Sequence, residues 1–222
     1  MPYAAGSVRD IPVRGGLKLC GLTWTGQYLW YSEAVQNQIA AMDPRTGEVV
    51  RKIPCPGVRT DLTTLGGSLV QVVGEQRTLR VIDPESGDVV GELPNPRPGR
   101  LLCGLEATSQ GVWTGYEDLQ VIDLRSVEDL RLIASYPVRR PVAGVTVSDD
   151  YLAYADYRGC SINLIDLNQG REVASITVNG SPTGIAWDGR LIWYCDHATL
   201  QLRAIEVPGI TGGRQAHDND RR

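Results

Sequence analysis

The sequence predicts an all-β protein built as a five-bladed β-propeller, and three observations carry that reading. A hydrophobic strand ending in Ile-Asp or a close variant returns five times, as Met42-Asp43, Ile82-Asp83, Ile122-Asp123, Ile165-Asp166 and Ile205-Glu206. Those positions are separated by steps of 40, 40, 43 and 40 residues, the period of one four-stranded blade. No stretch shows sustained helical periodicity, and short β-branched or aromatic runs bounded by Gly, Asp and Ser fill the repeat instead.

The elements follow in order within each repeat. Strand a begins at a small residue followed by an aliphatic one: Gly21-Leu22, Asp61-Leu62, Gly104-Leu105, Gly144-Val145 and Gly184-Ile185. Strand b follows a polar turn, at Leu29-Trp30-Tyr31, Leu69-Val70-Gln71, Val112-Trp113-Thr114, Leu152-Ala153-Tyr154 and Ile192-Trp193-Tyr194. Strand c ends at the Ile-Asp phrase. A tight turn such as Pro44-Arg45-Thr46-Gly47 or Pro84-Glu85-Ser86-Gly87 leads to strand d, with Pro and Gly presetting the backbone angles. The fifth repeat lacks a strand d. The N-terminal Val8-Arg9-Asp10-Ile11-Pro12 mimics Val50-Arg51-Lys52-Ile53-Pro54, strand d of the first repeat. The first strand is therefore expected to complete the last blade, close the ring and remove an exposed edge. One domain over residues 1–210 is expected, followed by a polar, disordered tail over 211–222.

Composition narrows the function classes. The 222 residues carry a net charge of −4 with scattered basic residues, which leaves no footprint for nucleic acid. No apolar run approaches membrane-spanning length. The first twenty residues hold no apolar core of a secretory signal, and the five cysteines form no CxxC pair. Reduced thiols in a cytoplasmic protein are the expectation. Neither a P-loop, a dinucleotide fingerprint nor a G-x-S-x-G stretch occurs. Trp24, Trp30, Trp113, Trp187 and Trp193 recur on strands a and b, where packing between blades is expected of them.

The phrases Met42-Asp43-Pro44-Arg45-Thr46-Gly47 and Ile82-Asp83-Pro84-Glu85-Ser86-Gly87 resemble those of bacterial glutamine cyclotransferase-type propellers and of the wider YncE-like and NHL-like group. The resemblance spans residues 7–210 and consists of architectural residues, so it implies a fold. It also implies a Glu immediately before the Gly-Leu of strand a. This chain has Cys20 and Cys103 there, so neither that glutamate nor peptide cyclisation is carried over.

In such a ring the mouth of the channel lies where strand a begins and strand b ends. Just before the strand a small residue stand Cys20, Thr60, Cys103, Ala143 and Thr183; at the end of strand b stand Glu33, Val73, Tyr116, Asp156 and Asp196. Glu33, Asp156 and Asp196 belong to adjacent blades, each two residues after a tyrosine (Tyr31, Tyr154 and Tyr194). Converging carboxylates suit a divalent cation or a general base with a raised pKa; the alternative is that they cap turns. Glu106 stands where other blades have Thr23, Thr63, Thr146 and Ala186, and a charge on an innermost strand demands compensation. Asp61 replaces a strand a glycine. Alternation puts it on the same side as Arg59, as an ion pair filling a narrow channel or as an anchor for a polar or anionic ligand. Cys20 and Cys103, with His197, offer a soft-metal or nucleophilic thiol site.

The leading expectation is an enzyme acting on a small polar molecule at the mouth. Glu33, Asp156, Asp196 and Glu106 would supply acid–base chemistry of lyase, cyclase or hydrolase type, with or without a divalent cation. Ligand-binding candidates are Arg59, Asp61, Tyr31, Tyr116, Tyr154, Tyr194, Cys20, Cys103 and His197. One alternative is a non-catalytic propeller binding a ligand or a protein; another is the thiol site.

Overall fold

Strands form here because short runs of Val, Ile, Leu, Trp and Tyr alternate with turns that side chains stabilise locally. In the computed structural model, which describes residues 2–207, these runs become 21 strands in five sheets. The expected tail over 211–222 and the last three residues assigned to the propeller lie outside the described residues.

The chain opens with β1 (Pro2–Ala4) and β2 (Ser7–Pro12). Blade 1 is β3 (Leu19–Trp24), β4 (Leu29–Glu33), β5 (Gln38–Met42) and β6 (Val49–Pro54). Blade 2 is β7 (Val58–Leu65), β8 (Ser68–Val73), β9 (Thr78–Ile82) and β10 (Val89–Leu93). Blade 3 is β11 (Leu102–Thr108), β12 (Gly111–Tyr116), β13 (Val121–Arg125) and β14 (Leu132–Pro137). Blade 4 is β15 (Gly144–Val147), β16 (Tyr151–Asp156), β17 (Ser161–Asp166) and β18 (Arg171–Thr177). Blade 5 is β19 (Pro182–Trp187), β20 (Ile192–Asp196) and β21 (Gln201–Ile205), completed by β2 antiparallel to β21. The ring is thus closed by the N-terminal strand. Ile11 faces inward as Ile53 does at the matching place of blade 1. The short β1 pairs in parallel with β18 and gives blade 4 a fifth strand that sequence reading did not foresee.

Burial falls from the axis outward. Every residue of β4 is buried, whereas Val49 and Val50 of β6 and Val89 and Val90 of β10 are exposed. Five hydrophobic clusters fill the five seams between neighbouring blades. Trp193 joins blades 5 and 1, Trp30 joins 1 and 2, and Trp113 joins 3 and 4, with Trp24 and Trp187 at the cluster margins. Face-to-face packing of apolar sheet surfaces is what holds neighbouring blades together.

The Ile-Asp phrase has a local cause. The Asp43 carboxylate accepts the Arg45 N–H at 2.8 Å and its carbonyl accepts the Gly47 N–H at 2.8 Å, with Gly47 at φ 76°. Asp83 and Gly87 repeat these bonds, as do Asp166 and Gly170. Asx turns of this kind set the c–d hairpin. In blade 3 the same backbone bonds are made by Ser126 and Leu130 instead. The true counterpart of Asp43 is therefore Ser126, not Asp123. The extra three residues of the repeat lie in the connection 94–101 rather than after Ile122. Asp123, freed from turn duty, is fully buried on β13 and is held by Arg97 of that connection at 2.7 and 3.0 Å and by Arg125 at 2.5 Å.

Candidate functional site

The innermost strands β3, β7, β11, β15 and β19 begin around one recess of about 380 Å³. Cys20, Thr60, Cys103, Ala143 and Thr183, the five positions just before the strand a small residue, all line it. Arg59, Asp156 and His197 line it as well. Four charged residues that sequence reading passed over complete the wall: Lys18, Arg77, Glu117 and Arg158. Arg77, Glu117 and Arg158 sit on the b–c turns, within a few residues of the strand b ends Val73, Tyr116 and Asp156. Extending each strand b by that distance would have found them.

The wall carries more positive than negative charge. Lys18, Arg59, Arg77 and Arg158 face two carboxylates, Glu117 and Asp156, on a chain whose net charge is −4. Arg77 is buried and fixed: its guanidinium donates to the Leu102 carbonyl at 2.8 Å and lies 3.3 Å from the Cys103 sulfur. Arg59 reaches Glu75 at 3.2 Å and Arg158 reaches Glu117 at 4.0 Å, both among solvent-exposed groups. Such exposed pairs are worth little and give way readily to a ligand. His197 sets a ring nitrogen 3.5 Å from the Leu19 carbonyl and meets the Tyr157 ring edge-on at 5.5 Å.

The expected acid ring is not assembled. Glu33 is fully buried and its carboxylate accepts the backbone N–H groups of Leu17, Lys18, Val35 and Gln36. Asp196, also fully buried, accepts the N–H groups of Ser181 and Ala198 at 3.0 Å, the Thr199 hydroxyl and the Arg203 guanidinium at 2.9 Å. Burial alone would raise Asp196, but these donors outweigh it and hold the carboxyl below its usual range. Asp156 accepts the Gly159 N–H at 2.9 Å and lies 3.6 Å from Arg140. All three cap b–c turns, and neither Glu33 nor Asp196 lines the recess. Among the described residues no group of three or more His, Cys, Asp or Glu stands together to hold a metal. The divalent-cation site expected on Glu33, Asp156 and Asp196 is accordingly not formed.

The tyrosines are likewise committed to the interior. Tyr31, Tyr116, Tyr154 and Tyr194 lie in the seams between blades, and none lines the recess. Tyr154 donates to Glu172 at 2.7 Å and Tyr194 to the Asn179 carbonyl at 2.9 Å. Burial lifts all four phenols, Tyr31 to about 12.

Cys20 and Cys103 do line the recess, as thiols rather than thiolates. Burial pushes Cys20 up to about 11 and Cys103 up to about 12, against the pull of Lys18 and Arg77. The Cys103 thiol points to Glu117 at 3.6 Å and the Cys20 thiol to the Lys18 carbonyl at 3.6 Å. A reactive cysteine needs the opposite shift.

Arg59 and Asp61 do not pair. The β7–β8 ladder shifts register between Val58 and Leu62, so simple alternation fails between them. Arg59 turns to the mouth, while Asp61 is fully buried on the axis. Glu106, half-buried and farther along β11, accepts the Thr63 hydroxyl at 3.3 Å. Burial raises it to about 8, against hydrogen bonds from Thr63, Ala107 and Thr146.

Among solved structures the chain is similar to Myxococcus xanthus glutaminyl cyclase, with a TM-score of 0.76 at 12% identity over 93% of this chain and 98% of that one. The likeness is one of fold. It extends to the Cps50 (Swd1) β-propeller domain of Myceliophteria thermophila, with a TM-score of 0.58 at 11% identity over 90% of this chain and 99% of that one. No family model matches the sequence, and no curated protein matches it.

Proposed function

We infer that this propeller binds a small anionic molecule at the recess where its innermost strands begin. The observation that carries the reading is the four cations facing two carboxylates around about 380 Å³. Concave recesses of that size suit a small molecule, and cations grouped at a funnel focus field and raise local anion concentration. Arg77 is already fixed by the Leu102 carbonyl, so part of the ordering cost of binding is met before a ligand arrives. A small polar ligand rather than nucleic acid or membrane fits a cluster this compact. All five cysteines are free, as a reducing compartment such as the cytoplasm would keep them.

A catalytic version of the same site is the second reading, and Glu117 is the residue that favours it. It is the carboxylate at the mouth that is not spent on capping a turn, with Arg158 at 4.0 Å and the Cys103 thiol at 3.6 Å. It would act as general base on a ligand whose anionic group the arginines hold. Structural likeness reaches both a glutaminyl cyclase and a propeller domain, so the fold itself does not choose.

Thermal-shift screening of small mono- and dicarboxylates and phosphate esters at low salt tests the first reading. Hits should raise the melting temperature of the wild type and lose that effect in Arg59→Ser/Arg158→Ser. No anionic hit, or hits indifferent to both arginines, would reject it. Turnover of a hit that vanishes in Glu117→Gln while binding persists would establish the second.

A further inference from the structure

Asp61 stands at a position that the five-fold repeat reserves for glycine, and its surroundings explain the exception. Each innermost strand is paired on one side only, β3 to β4, β7 to β8, β11 to β12, β15 to β16 and β19 to β20. Alternate N–H groups of these strands therefore turn toward the axis with no sheet partner. The residue after the small residue is Leu22, Leu62, Leu105 and Val145 in blades 1 to 4, and all four are fully buried. Their N–H groups converge on one carboxylate. Asp61 Oδ1 accepts Leu22 at 3.2 Å and Leu62 at 3.0 Å, while Oδ2 accepts Leu105 at 3.0 Å and Val145 at 3.3 Å.

We propose that the propeller axis is an anion-binding site which the chain fills with its own Asp61 carboxylate, and which a free halide such as chloride occupies when that side chain is removed. Backbone N–H groups aimed at one point form a binding concavity for anions, and buried N–H groups require an acceptor. Four donors from four blades meet at one place without any positively charged side chain. Both oxygens accept two bonds each, so a proton on either would have no acceptor to face. Only one side chain fits. A Cβ at Gly21 would strike the Leu62 backbone nitrogen, one at Gly144 the Thr183 carbonyl, and one at Gly184 the Leu22 nitrogen. The inner strands touch at those glycines, and the carboxylate of the fifth position takes the space they leave on the axis. Burial and the nearby Glu106 carboxyl push Asp61 well above its usual range, and the Leu105, Leu62 and Leu22 N–H groups oppose that rise. Two N–H donors on each oxygen are the geometry of the ionised form.

The test uses the full chain and Asp61→Gly, which restores the repeat, with melting temperature read in sodium gluconate and in sodium chloride at matched ionic strength. Gluconate is too large for the axis, so it controls for screening. The D61G protein should melt lower than wild type in gluconate and recover saturably as chloride replaces it, as a ligand specific to the folded state requires. Anions reaching the cationic mouth act on both proteins alike, so the expected result is a chloride-dependent recovery of D61G beyond any response of wild type. Crystals of D61G grown in bromide should place an anomalous peak among the N–H groups of Leu22, Leu62, Leu105 and Val145. Equal melting of both proteins in gluconate, or the same chloride response in both, would overturn the proposal. Failure of D61G to fold in either salt would overturn replacement by a free anion. Asp61→Asn then decides the carboxylate's own role: a depressed melting temperature keeps it, and an unchanged one removes it.

Discussion

Burying a carboxylate is costly unless several donors surround it, and this chain supplies them from its backbone and from neighbouring side chains. Glu33 and Asp196 each gather four donors, and Asp123 gathers Arg97, Arg125 and Ser135. Asp196→Ala should therefore cost about 3 kcal/mol of stability by urea unfolding, because Arg203 and two N–H groups lose their acceptor. A change within experimental error would show the cap to be dispensable. Glu106 behaves oppositely. Its carboxyl is raised from 4.5 to about 8 in the folded chain, so folding favours its protonated form. That contribution is complete below about pH 4.5 and is lost as pH rises through about 8. Glu106→Gln stays neutral throughout and should flatten the decline in stability between about pH 5 and pH 8. Parallel stability curves for the two proteins would contradict the shift. At this scale the sequence was least legible. A carboxylate ending strand b looks the same whether it caps a turn or meets a ligand, and only the positions of the surrounding N–H groups tell the two apart.

Elements were more readable because each carries a periodic signature. The match of Val8-Arg9-Asp10-Ile11-Pro12 to Val50-Arg51-Lys52-Ile53-Pro54 located the closing strand, since both place one isoleucine inward at the same register. The β2 strand covers the edge of β21 and buries Ile11 in the seam between blades 5 and 1. Deleting residues 1–14 should abolish cooperative unfolding, because it opens the ring and exposes that edge together. Retention of a wild-type melting transition would mean that the ring closes by other means. The three-residue β1 offered no such signature. Blade 3 misled for a definite reason: Ile122-Asp123 copies the phrase while Ser126 performs its turn. The long connection 94–101 supplies Arg97, whose guanidinium holds the displaced aspartate. The copied phrase thus marks an ion-pair site rather than a hairpin.

As a whole the molecule is a ring of five similar blades whose differences concentrate on the axis. Similarity between blades made the fold legible from one period, since every seam repeats the same packing. Differences between blades set the charge along the axis and at its mouth, and a single repeat cannot announce them. The axis holds Asp61, its far side Glu106, and its mouth the four cations Lys18, Arg59, Arg77 and Arg158. The place of the mouth was readable from the ring geometry. Its basic character was not, because the cations come from strand a flanks and b–c turns of several blades and meet only after closure. The function proposed for this molecule rests on its mouth taking an anion. Calorimetric titration of the strongest screening hit into wild type and into Arg59→Ser/Arg158→Ser measures it directly. Binding to wild type should be stoichiometric, with a loss of about ten-fold or more in the variant, the equivalent of about 1.4 kcal/mol. Equal affinity in both proteins would contradict it.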